Sequence, residues 1–231
     1  MARTRLLSAS TFLLLIAGQA MAALPGEMTG HHRILYSDLI VVARASVARE
    51  EAFPRGAAYT LAVKEVLLDR NGIGDPGGRL LHDEIPGSSS FGDRLPIPGD
   101  TDVLLFLVAN GEDLGYAGCW TNAMVPLDGS VEECLVPRYE FRTMTGAEFL
   151  SGIRNLAADF ARFDFLAEAY RSAVGSRHPF CFGDKVPLLE LALDTGDVRA
   201  AAFAQEELDD PALPESCRQA IERRFRRPSS R

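Results

Sequence analysis

The chain has 231 residues, 47 % of them apolar, with 32 acidic and 24 basic side chains and a formal charge of −8. That length supports one larger or two small cores. The acidic balance repels phosphate backbones and anionic lipid surfaces, so nucleic acid is excluded as an expected partner. Lysine occurs only at Lys64 and Lys185, so nearly all positive charge is arginine, a compositional habit rather than a site.

The chain opens MARTRLLSASTFLLLIAGQAMAALPGE, with Arg3 and Arg5, an apolar run over residues 6–17, and small residues at Ala20 and Ala22. These are the three parts of a secretory signal, with cleavage expected after Ala22. The run is interrupted by Ser8, Ser10 and Thr11 and falls short of the about 20 mostly apolar residues that span a bilayer, so no stable membrane anchor is expected. Arg3 and Arg5 are not adjacent, as a twin-arginine signal needs, and no cysteine lies near the cleavage site to carry a lipid. Removing 22 of 231 residues leaves 209, and the loss of two arginines takes the formal charge from −8 to −10. A periplasmic or secreted location follows as the expectation.

Strands come next. YSDLIVVARASVARE from Tyr36, AAYTLAVKEVLLD from Ala57, GRLLHDEIPG from Gly78 and DTDVLLFLVANGEDLGYAGCW from Asp100 are rich in Val, Leu and aromatics and bounded by turn formers. In the second, Tyr59, Leu61 and Val63 share one face, and Val66 and Leu68 resume out of phase, which predicts a bulge near Lys64 and Glu65. VLLFLV from Val103 is apolar on both faces and reads as a central strand, covered on one side by a barrel core and on the other by a helix. In CWTNAMVPLDGSVEEC, residues 119–134, two arms flank Asp128-Gly129, a dipeptide suited to a type I′ hairpin turn. Pro126 places its arm at an edge.

From Thr143 the period changes. Thr145 and Glu148 form a capping box, and Phe149, Ile153, Leu156, Phe160 and Phe163 recur at helical spacing. Further helices are predicted over about 165–174, 186–193, 197–208 and 214–225, with Leu188, Leu189, Ala192, Phe203 and Ile221 inward. The tail IERRFRRPSSR is basic and reads as a solvated helix end. The fold class is therefore α+β: a signal peptide at 1–22, a small antiparallel β-barrel or sandwich at 23–142 and a helical region at 143–231.

In an exported chain, Cys119, Cys134, Cys181 and Cys217 are disulfide candidates first. Three pairings exist, and the local one joins Cys119 to Cys134 and Cys181 to Cys217. Neither the C-x-x-C spacing of a redox pair nor the ligand spacing of a zinc site is present. On the chain-entropy model, closing the first loop stabilises by about 3 kcal/mol.

Other candidate chemistry weakens on inspection. His31 and His32 read as exposed residues leading into the first strand, since adjacent strand side chains diverge. His82 cannot be oriented by its neighbour Asp83 for the same reason, and His178 reads as a loop residue. GSSSFGD from Gly87 lacks the spacing of a nucleophile elbow. NGIGDPGG from Asn71 lacks the ending of a phosphate-binding loop and reads as a long hairpin turn. Glu132-Glu133 and Glu206-Glu207 are adjacent pairs on solvated faces, not a spaced acid and base. No metal and no cofactor is expected.

SDLIVVARASV, AYTLAVKEVLLD and PIPGDTDVLLFLV resemble the opening strands of netrin-like or TIMP-like modules, the OB-type barrels of secreted proteins, a pattern shared by exported bacterial proteins. The resemblance covers roughly residues 34–135 and implies a fold. The metalloproteinase inhibitors of that family chelate zinc through an N-terminal cysteine. Here the mature chain would begin at Ala23 and no cysteine precedes Cys119, so no functional residue carries over.

The expectation is a non-catalytic binding or interaction module whose partner is an unknown protein or small ligand. OB-type barrels bind through one face and its loops, where Phe91 and Trp120 are the aromatic anchors. Trp120 also suits packing on the neighbouring disulfide. The competing reading is a secreted hydrolase or protease inhibitor whose site forms only in three dimensions.

Overall fold

A computed structural model describes residues 29–51, 56–74, 76–82, 101–117, 123–136, 140–173 and 182–211, with positions 213, 215, 218–219 and 221–222. A short helix, α1 (Gly30–Leu35), leads into β1 (Leu39–Glu51) and β2 (Gly56–Asp69). After a 3₁₀ turn at Pro76–Gly78 come β3 (Leu81–His82), β4 (Val103–Asn110), β5 (Asp113–Tyr116) and β6 (Met124–Pro126). β7 (Ser130–Val136) and β8 (Glu140–Thr145) form a separate two-stranded ribbon. The helices α2 (Gly146–Asp159), α3 (Phe163–Ser172), α4 (Lys185–Asp194) and α5 (Ala200–Asp209) follow. The architecture is α+β, a mainly antiparallel sheet followed by C-terminal helices.

β1 pairs antiparallel with β2 along its length and, over Leu39 to Ala43, with β4 on its other edge. The β1–β2 register slips where Val42 opposite Glu65 gives way to Ala43 opposite Val63. Lys64 is the extra residue, the bulge expected from the broken alternation. Further slips leave out Leu67 on β2 and Ala48 on β1. Each extra residue bends its strand and increases the twist.

Two apolar clusters divide the sheet by face, as period two dictates. Val103, Leu105 and Leu107 of β4 lie with Leu39, Val41 and Leu61 on one side. Leu104 and Phe106 lie on the other with Ile40 and Val42 and with Phe149, Ile153 and Leu166 from the helices. β4 is fully buried from Val103 to Leu107, the central strand its sequence announced.

The capping box forms as its spacing dictates: the Glu148 amide donates to the Thr145 hydroxyl at 3.2 Å, and the Thr145 amide donates to the Glu148 carboxylate at 2.8 Å. The periodic face continues beyond α2. Its last member, Phe163, starts α3, because the chain turns at residues 160–162. Leu188, Leu189, Ala192, Phe203 and Ile221 are all buried, as the pattern predicts.

The second hairpin differs from expectation. β6 pairs with β4, Val103 opposite Pro126, whereas β7 pairs with β8, Ser130 opposite Thr145. Gly129 has no positive φ, so Asp128-Gly129 does not make a type I′ turn. The physical reason is competition: β7 finds a long partner edge in β8, and β6 is drawn to the fully buried stretch Val103 to Leu105 of β4. The edge position expected for Pro126 holds, and that residue is exposed.

Candidate functional site

α1 lasts six residues and is capped by Thr29, whose backbone is extended and whose side-chain oxygen accepts the His32 amide at 3.2 Å. A helical path, rather than the expected exposed lead into β1, sets His32 and Tyr36 four residues apart on one face. Their rings stack with centroids 6.4 Å apart. Both reach Asp184, at the end of the 3₁₀ turn Phe182–Asp184 that precedes α4. His32 Nε2 lies 2.9 Å from Asp184 Oδ2, and the Tyr36 hydroxyl donates to Oδ1 at 2.6 Å. His32 Nδ1 faces the Thr29 hydroxyl at 3.0 Å. The exposed position expected of His32 is thus corrected: its side chain is 13 % exposed and that of Asp184 3 %. The carboxylate assigns the Nε2 proton, since only a ring N–H satisfies it.

Hydroxyl, imidazole and carboxylate in a row have the order of nucleophile, base and orienting acid. The burial is wrong for that chemistry. Thr29 is 0 % exposed, and its hydroxyl already serves as the helix cap. The cluster is a clamp that joins the first helix to the C-terminal region.

Two arginines tighten the same region. Arg33 is buried with its guanidinium 5.7 Å from the Phe106 ring centroid and 5.5 Å from that of Phe149, between sheet and α2. Arg70, at the end of β2, donates from Nη1 to Leu35 O and Ser37 O at 2.9 and 3.0 Å. Burial pushes the Arg70 pKa down to about 10, against the opposing pull of Asp38 and Asp194. It remains a cation at neutral pH and closes the end of α1.

The chain after β2 is held by the last residue of that strand. Asp69 accepts from the Ile73 and Gly74 amides at 2.8 and 2.9 Å, and Gly72 and Gly74 take positive φ values of 61° and 73°. The amides a phosphate would need are filled by the chain's own carboxylate. On the surface, Asp102 accepts from Lys64 at 2.6 Å and Arg44 at 2.8 Å, and the two bonds, Lys64 foremost, hold its carboxyl below the usual range. Arg154 of α2 forks onto Glu65 of β2. These exposed pairs position elements and contribute little each.

An open groove of about 620 Å³ runs between residues 127–130 and 143–148. Of the residues singled out in the sequence, Cys119, Cys181, Cys217, Phe91, Trp120 and His178 lie outside the described residues. Cys134 belongs to β7 and His82 to β3, with side chains outside the description. Among the described residues no group of three His, Cys, Asp or Glu side chains has metal-site geometry, and no helix is long and apolar enough to cross a membrane. Glu207 is half-buried rather than solvated, and burial raises its pKa. Asp184 escaped the sequence reading: an Asp before a helical run is a common cap, and nothing local ties it to a histidine 152 positions earlier. No protein-family model and no curated protein matches the chain.

Proposed function

We propose that the chain is an exported, non-catalytic binding or protein-interaction module, built on an OB-like barrel of the netrin type and working in the periplasm or outside the cell. The observation that carries this reading is the burial of Thr29, which turns the best-formed polar cluster inward as a clamp. Support for the barrel comes from the pairing order. β1 meets β2, β2 meets β3, β3 runs parallel to β5 at Leu81 and Leu114, β5 meets β4, and β4 returns to β1. Such an order of pairings supports the reading of a small five-stranded Greek-key barrel. One face of its strands is occupied by an apolar cluster and the other by helices, so recognition falls to the loops, with Phe91 and Trp120 as anchors.

The test uses the chain from Ala23 as bait in a periplasmic extract, beside a variant carrying Phe91→Ala and Trp120→Ala. A partner retained by the first and lost by the second is expected; a partner held equally by both overturns the loop assignment. The proposed Cys119–Cys134 and Cys181–Cys217 disulfides leave almost no free thiol in unreduced, denatured protein. Four thiols by colorimetric titration would overturn them.

A further inference from the structure

We draw no further inference here: the strongest candidate, the open groove between residues 127–130 and the start of α2 at residues 143–148, has its Glu148 carboxylate already engaged by Thr145, and nothing in the structure shows what covers it.

Discussion

Asp184 is buried and accepts from the largely buried His32 and the more exposed Tyr36, so its loss leaves the imidazole N–H facing a void. Removing one partner of a buried polar pair is costlier than the pair's net worth, because the remaining group keeps its desolvation penalty. Asp184→Ala is expected to lower the unfolding free energy by about 3 kcal/mol. Tyr36→Phe removes one hydrogen bond and leaves the stacked ring, so it should cost only about 1 kcal/mol. Urea denaturation of the two variants beside the parent chain measures both. Equal, small losses would mean that α1 is held by its arginines and apolar contacts rather than by the carboxylate. His32 illustrates why this region was illegible in sequence: its role is set by a partner far along the chain, and two adjacent histidines carry no periodic signal of their own.

At the scale of elements, α2 supplies a paired test because its two glycines have opposite surroundings. A Cβ on Gly146 would stand 2.4 Å from Leu127 O and 2.7 Å from Leu127 Cα, whereas a Cβ on Gly152 meets nothing within 4 Å. Backbone cannot yield as a flexible side chain does, so Gly146→Ala should destabilise by about 1–3 kcal/mol, the range of overpacked sites. Gly152→Ala, on an exposed helical turn, should stabilise by roughly 0.5–1 kcal/mol through reduced freedom of the unfolded chain. Thermal melts of both variants decide the matter, and like signs would contradict the close approach of α2 to residue 127. The same element shows what local sequence carries. The capping box, the α2 face and the Lys64 bulge were legible because each is written within a few residues. The Asp128-Gly129 turn was not, because pairing of β6 with β4 and β7 with β8 outweighs a dipeptide preference worth less than a strand edge.

Across the molecule, the cluster that buries Leu104 and Phe106 of β4 also buries Tyr170, Leu188, Leu189 and Phe203 of the helices and Ile34 of α1. The sheet therefore has no finished outer surface of its own. A chain ending at Leu166 would lose those later helical side chains together with Asp184. Each large buried residue removed costs about 2–5 kcal/mol, and whole domains hold only about 5–15 kcal/mol. Losing Tyr170, Leu188, Leu189 and Phe203 together therefore matches or exceeds that total. The truncated chain is expected to lack a cooperative urea transition and to bind an apolar-surface dye strongly; a sharp transition with little dye binding would show that the strands stand alone. Asking whether sheet or helices carry recognition by deleting one of them would then report folding rather than binding. Substitutions on exposed loop side chains, which leave this shared cluster intact, separate the two.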